Sequence, residues 1–585
     1  MLIMWTPWLG GPVIEWCLRR FLVRETWVWF QVRHSNSSLR QGLISSRLRL
    51  PRIEAAAVRR FLANPWLWAV LAVTALAAFL RLYQLADIPP GITGDEGLVG
   101  LNARRILDEG WIGAYVTTGY GINSGPMYLT APFVWLLGNT VLAIRLPVAI
   151  LGAATIPVAY VAFREMTGKT AALIAAFILA VSLWHIQLSR IAFTVNSWPL
   201  MEVATLAAVF WAFRTRSLAL FVLAGALMGL GVHTYPAWPL FAGGMALFFV
   251  WALIRGEPMA RPELLRGLAL FSIAAFIGAL PLIREALDSS SLYRNDGART
   301  AALIFNHPTY EQQGGFFDRA GFLASRAWDY FRALTWEAKL DAADMLGLAP
   351  ILDRFTSVLA LAGLAYMAVK WRQPAHVLVW IMILILPALA VFTVDGSYRR
   401  TFGLTPFISL AAAMPLALVW EYALKLKPVG RWALLGAVVL VLALIARVNV
   451  VRYFDTFANS PSTSWSFVED LTKASEYTAD LPGQPYVYLY SGRFLYPYET
   501  QRYLLPGRPG EDRSREHGQF TLEPDRSKDV VYLFLEPYFD LLPQVQALYP
   551  GGIAHQENRS NGQPLFSVYY LPRETAGATA VSPIR

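Results

Sequence analysis

The chain has 585 residues, 56% hydrophobic and 15% charged, with a formal net charge of +10. Together with a mean hydropathy of +0.41, this places it among polytopic, mainly α-helical membrane proteins. The basic excess does not point to nucleic acid, because much of it lies in short loops between apolar runs and no zinc-finger spacing or RNA-binding motif accompanies it. Cys17 is the single cysteine, which excludes an internal disulfide and a cysteine metal site.

Residues 1–64 carry Arg19, Arg20, Arg24, Arg33, Arg59, Arg60 and further arginines among short apolar patches, with no signal-peptide core and cleavage site. They are expected to be a basic cytoplasmic leader touching anionic lipid, or the product of an over-extended start codon. The first span runs from Pro65 to about Leu85, close to the roughly 20 residues a bilayer requires. With the basic leader inside, the next segment emerges outside.

That segment, Pro89-Pro90-Gly91-Ile92-Thr93-Gly94-Asp95-Glu96-Gly97, sets two acids between helix breakers at the water edge of the bilayer. Carboxylates close to hydrocarbon usually mark function rather than stability. Asp95 can take a proton from a hydroxyl, or hold a cation with Glu96; the plainer reading is a solvated loop in which an Asp caps a helix starting near Gly97. The rest of an outer loop over 87–141 holds an amphipathic helix at 98–107, expected along the surface. It also holds a short apolar stretch at 126–137, broken by Pro132 and read as interfacial or re-entrant.

Further spans are expected near 142–163, 171–188, 198–214, 217–233, 237–254, 265–285, 354–371, 375–394, 402–424 and 431–450, about eleven in all. Every inner loop is then basic (Arg164 and Lys169; Arg214 and Arg216; Arg255, Arg261 and Arg266; Lys370 and Arg372; Lys425, Lys427 and Arg431), and the odd count puts the tail outside. The outer segment 286–352 is too long for a plain connection and reads as a lid over an outer cavity. From 451 the composition turns polar. Strands are expected at 486–490, 530–535 and 565–571 and helices at 465–477 and 544–548, making a small extracytoplasmic α/β domain over 451–585.

Four arginines stand at outer edges of spans: Arg145, Arg190, Arg399 and Arg400. Snorkelling is the bland account, but a guanidinium fork also matches a phosphate in shape and charge. The turn His233-Thr234-Tyr235-Pro236-Ala237-Trp238-Pro239, with His185 and Asn196 near the same face, offers rings for a sugar or for an interface belt. No HxxxH pair, Walker A motif or strand-to-helix GxGxxG is present, so any activated group must reach the protein already in the membrane.

In order and sidedness, Gly94-Asp95-Glu96, Ser124-Gly125-Pro126-Met127-Tyr128, Arg145-Leu146-Pro147, Ser189-Arg190 and Tyr235-Pro236 resemble the GT-C membrane glycosyltransferases. The resemblance is to the branch of protein O-mannosyltransferases and aminoarabinose transferases (glycosyltransferase family 39 type), and it covers roughly residues 66–450 of the catalytic region 65–450. It implies an inverting transferase in the plasma or inner membrane, moving a sugar from a polyprenyl-phosphate donor to a hydroxyl or amine of a protein, lipid or glycan on the outer face. It puts Asp95, with Glu96, at the catalytic centre, and Arg399 or Arg400 on the donor phosphate, with Arg190 or Arg145 assisting. Tyr128, His233, Tyr235 and Asn196 are the candidate substrate contacts. Relatives often carry a Lys- or His-Pro-Pro-Leu/Tyr element where this chain has 124–128, without the basic residue or the second proline. No cofactor is required; a divalent cation at Asp95 and Glu96 is compatible. The rival readings are a transporter or flippase of a lipid-linked saccharide, which predicts charges buried mid-span and symmetric halves, and a sugar-binding sensor.

Overall fold

The computed structural model describes residues 63–117, 121–288, 303–337, 350–394, 398–518, 520–559 and 561–573. The expectation for the leader therefore lies almost wholly outside the described residues, as do parts of the 286–352 segment and residues 395–397.

In chain order the bundle helices are α1 (Pro65–Leu82), α2 (Gly94–Glu109), α3 (Gly125–Leu137), α4 (Val141–Thr167), α5 (Lys169–Val181), α6 (Leu183–Leu188), α7 (Trp198–Thr215), α8 (Leu218–Gly231), α9 (Trp238–Arg255) and α10 (Arg261–Leu287). They continue with α11 (Phe316–Thr335), α12 (Arg354–Val369), α13 (Pro374–Ile385), α14 (Leu404–Ala423) and α15 (Pro428–Val451). Among the described residues, seven helices are long and apolar enough to cross a membrane: α1, α4, α9, α10, α13 extended to Phe392, α14, and α15 extended to Phe457. The other expected spans form as helices too, but α5, α8 and α12 have only 13, 14 and 16 residues. α3 also has 13 residues, about 20 Å at 1.5 Å each, short of a crossing.

Small residues let these helices approach closely. A methyl group on Gly225 or Gly229 of α8 would come within 2.1 Å of the carbonyl oxygens of Phe271 and Ala275 on α10. This is a GxxxG contact, in which backbone packing replaces the hydrophobic drive that lipid removes. On α12 a methyl on Gly363 would likewise reach the Ala411 carbonyl of α14 at 1.8 Å. The core these helices share is apolar and rich in Ala, Leu and Phe.

The C-terminal region is the expected small α/β domain. Its sheet follows a hairpin in the first loop, β1 (Tyr115–Val116) with β2 (Ile122–Asn123). The domain strands are β3 (Tyr486–Tyr490), β4 (Gly510–Asp512), β5 (Val530–Phe534), β6 (Ile553–Asn558) and β7 (Pro564–Leu571), in the order β4-β3-β5-β7-β6. β4, β3 and β5 run parallel, and β7 and β6 are antiparallel. Alternation sends Val487, Leu489, Val531, Leu533 and Val568 to the face covered by α16 (Glu469–Ala479). Tyr488, Tyr490, Tyr532, Phe534 and Tyr569 go to the face that also receives Leu541, Leu542 and Val545, the last helix of the domain. Burial pushes the phenol of Tyr490 up to about 12, so that hydroxyl stays uncharged.

Between α16 and that last helix lies α17 (Glu499–Leu504), which the sequence pattern did not mark. It packs on α2. Tyr503 donates to the Thr140 carbonyl at 3.0 Å, and Asn139 Nδ2 donates to the Tyr503 carbonyl at 2.7 Å. The face of α2 expected to lie along a membrane surface is thus covered by protein. The Asp95 segment and the C-terminal domain stand on the same side of the bundle.

Candidate active site

α2 begins three residues earlier than expected, and this decides the fate of the acid pair. Thr93 and Glu96 form a capping box, with Thr93 Oγ1 accepting from the Glu96 amide at 3.3 Å and Glu96 Oε2 accepting from the Thr93 amide at 3.1 Å. The T-x-x-E signal is present in the sequence and could have set this boundary. Adjacent residues on a helix diverge by about 100°. Asp95 and Glu96 therefore face different surroundings.

Glu96 turns inward. It is fully buried and ion-paired to Arg145, Nε to Oε1 at 3.0 Å and Nη2 to Oε2 at 3.3 Å. Oε1 also accepts from the Ala192 amide at 3.0 Å. Arg145 in turn donates to the carbonyls of Leu85 (3.3 Å) and Pro89 (2.8 Å), and to that of Gly91. This corrects where the expectation placed both residues: the Glu96 oxygens are occupied by protein donors, and Arg145 gathers the loop carbonyls. Arg190 is corrected in the same way. It is fully buried, with Nη1 on the Leu80 carbonyl, Nη2 on those of Gln84 and Ile88 (each 3.0 Å), and Nε on the Tyr453 hydroxyl at 3.2 Å.

Asp95 turns outward. Its Oδ2 meets Arg399 Nη1 at 2.8 Å across 304 positions of sequence, with the two side chains 46% and 27% exposed. Arg399 lies over the Phe193 ring, 4.8 Å from its centroid, and Arg400 is half-buried beside it. The turn that carries both is locked from behind. Tyr330 of α11 shares a 2.6 Å hydrogen bond with Thr401, Tyr398 lies near the rings of Trp184 and Tyr330, and Phe402 packs on His185. Burial pushes the Tyr330 phenol up, so it stays neutral. α11 is itself held by Arg326, which donates to the Val391 carbonyl at 2.9 Å. Next to this turn, Tyr330, Leu334, Leu352, Leu361, Leu404 and Ile408 line an almost wholly apolar cavity of about 170 Å³.

The remaining candidates are not brought to Asp95. Tyr128 stacks on Trp111, its hydroxyl accepting from the Ile112 amide at 2.8 Å, and pins its own loop. His233 is buried and pairs through Nε2 with the Gly278 carbonyl at 3.1 Å. Asn196 is buried and donates to the Ile191 carbonyl. Tyr235 stacks on Trp198 and lines a second cavity of about 190 Å³ with Tyr115, Asn123 and Pro236.

Three residues escaped the sequence reading. Arg81 is fully buried on α1, 2.7 Å from His185 Nδ1, and donates to the Ala180 carbonyl at 3.0 Å. Glu202 is fully buried on α7, against Gly403 and Trp198. Tyr498 of the C-terminal domain lies against Gly94. A charged residue near a span end was the available signal for the first two; nothing local marked the third. Among the described residues no group of three or more His, Cys, Asp or Glu is placed to hold a metal ion.

The fold is that of the GT-C membrane glycosyltransferases. It is shared with ArnT from Cupriavidus metallidurans bound to undecaprenyl phosphate (14% identity, TM-score 0.51, covering 87% of this chain and 98% of that one). It is also shared with the oligosaccharyltransferase of Archaeoglobus fulgidus tethered to an acceptor peptide (15% identity, TM-score 0.50, 86% and 74%). Against the structure of the Archaeoglobus enzyme AglB with an inhibitory peptide and dolichol-phosphate, the chain spans 64% of the other protein's length. The model of the dolichyl-phosphate-mannose-protein mannosyltransferase family matches residues 125–281, less than half of the chain. No curated protein matches it by sequence.

Proposed function

We propose that this protein transfers a sugar from a polyprenyl-phosphate donor to an acceptor hydroxyl or amine at the outer face of the membrane, in one inverting displacement. The observation that carries this reading is the Asp95–Arg399 pair: two half-open, oppositely charged groups 304 positions apart in the chain brought to one place. Before the donor binds, each neutralises the other. A donor phosphate draws Arg399 to itself by a bidentate, charge-assisted contact, and the Asp95 carboxylate is released as a base. The acceptor oxygen or nitrogen then attacks the anomeric carbon while the bond from that carbon to the phosphate oxygen breaks. The acceptor proton passes to Asp95, and the electron pair leaves on the polyprenyl phosphate, whose charge Arg399 and Arg400 meet. The apolar cavity under α11 suits the first units of the prenyl chain. Glu96, Arg145 and Arg190 hold the loop from which Asp95 projects. The domains act as 65–450 for catalysis and 451–585 as an extracytoplasmic cover.

Two further observations support this over a transporter. Among the described residues, the other buried charges of the bundle, Arg81, Glu202 and Asp353, lie near helix ends on α1, α7 and α12 rather than mid-span. On the eleven-span reading the basic loops fall on the side away from Asp95, which is what the positive-inside rule asks of an outward site. The test is transfer from radiolabelled undecaprenyl-phosphate mannose in membranes. Wild type should transfer the label and Asp95→Asn should not; translocation of the intact donor without transfer would support the transporter.

A further inference from the structure

The first turn of α2 is gripped from outside the helical bundle. Gly94, Gly97 and Gly100 recur every third residue and so share one face. A methyl group on Gly94 would come within 2.7 Å of the Tyr498 hydroxyl, on Gly97 within 2.8 Å of the Glu499 backbone, and on Gly100 within 2.5 Å of the Tyr503 ring. Two bonds fix the register of this contact: Thr500 Oγ1 donates to the Ile92 carbonyl at 2.9 Å, and Thr472 Oγ1 accepts from the Ile92 amide at 3.1 Å. Tyr498 is the part of the grip next to the acid. Its hydroxyl lies against Gly94, one residue before Asp95. Burial, then the carboxylates of Glu499 and Asp95, holds the phenol above its ordinary value against the opposing Arg493, so it remains a neutral hydroxyl.

We propose that Tyr498 is a positioning residue of the site: by holding the backbone at Gly94 it sets the aim of the Asp95 carboxylate, so that the C-terminal domain completes the catalytic centre. Proton transfer requires hydrogen-bond reach, and a shift of about 1 Å can cost on the order of a hundredfold in rate. The hydroxyl therefore acts on catalysis without touching substrate. The inference rests on the reading of Asp95 as the base.

The test compares wild type, Tyr498→Phe and Gly94→Ala as full chains in detergent, with two readouts. The first is labelling of Asp95 by a water-soluble carbodiimide and an amine, followed by mass spectrometry, with the exposed Asp87 as internal reference. The second is transfer from undecaprenyl-phosphate mannose. Tyr498→Phe should raise Asp95 labelling relative to Asp87 about threefold and lower kcat about tenfold, with the donor KM within about twofold. Gly94→Ala displaces the hydroxyl from the opposite side and should do the same; it serves where Tyr498→Phe lowers the folded yield. Unchanged Asp95 labelling in both folded variants overturns the inference, whatever the activity. Full transfer by Asp95→Asn overturns instead the reading of Asp95 as base, and leaves the labelling result to stand on its own.

Discussion

Two ion pairs begin at neighbouring residues of α2 and end in opposite environments. Glu96–Arg145 is sealed, with both side chains at 0% exposure and further backbone partners on each. Asp95–Arg399 is open, its two side chains 46% and 27% exposed. The sealed pair is a fastener: removing one partner leaves a buried charge uncompensated. The open pair is loosely held, because a half-exposed pair contributes only about 0–1 kcal/mol, and so a ligand of suitable charge can separate it. Burial rather than residue type separates the structural acid from the one proposed to react.

Five variants at four positions break or sharpen that contrast. Asp95→Asn should leave the thermal midpoint nearly unchanged and lower kcat by about 10²–10⁴, measured as sugar transfer in membranes. Arg145→Ala should do the reverse. It should destabilise the fold by about 3–5 kcal/mol, seen as loss of monodisperse protein, and no choice of substrate should restore it. Arg399→Ala should lower kcat by about 10²–10³ with little change in stability, and Arg399→Lys should recover only part of the rate, because a point charge replaces the fork. The smallest effect is expected from Tyr330→Phe, which removes the bond to Thr401 behind the arginine turn and should cost about 1 kcal/mol in thermal stability.

Much of the fold was legible because lipid imposes long apolar runs. All eleven expected spans coincide with helices, though only seven are by themselves long and apolar enough to cross. The three central strands of the C-terminal domain were equally clear from their β-branched and aromatic alternation. β4 and β6 were missed, since they are polar edge strands, exposed for the most part, that need a neighbour to be strands at all. In the site, four arginines of similar sequence context were singled out, yet Arg145 and Arg190 turned inward to backbone carbonyls while Arg399 met Asp95. A guanidinium satisfies a carbonyl cage as readily as a phosphate, and the sequence around it does not distinguish the two.

Composition and hydropathy period fix that the chain is a polytopic helical protein with a small α/β tail, and local chemistry fixes that an acid stands at the start of α2, because both depend on near neighbours only. Which of two adjacent acids faces the open, which arginine meets it from 304 positions away, and that a tyrosine of the tail lies against the same turn are decided by packing. Those partnerships depend on a helix starting at Gly94 rather than Gly97 and on a face of glycines that admits α17, and only the assembled bundle sets these two geometries.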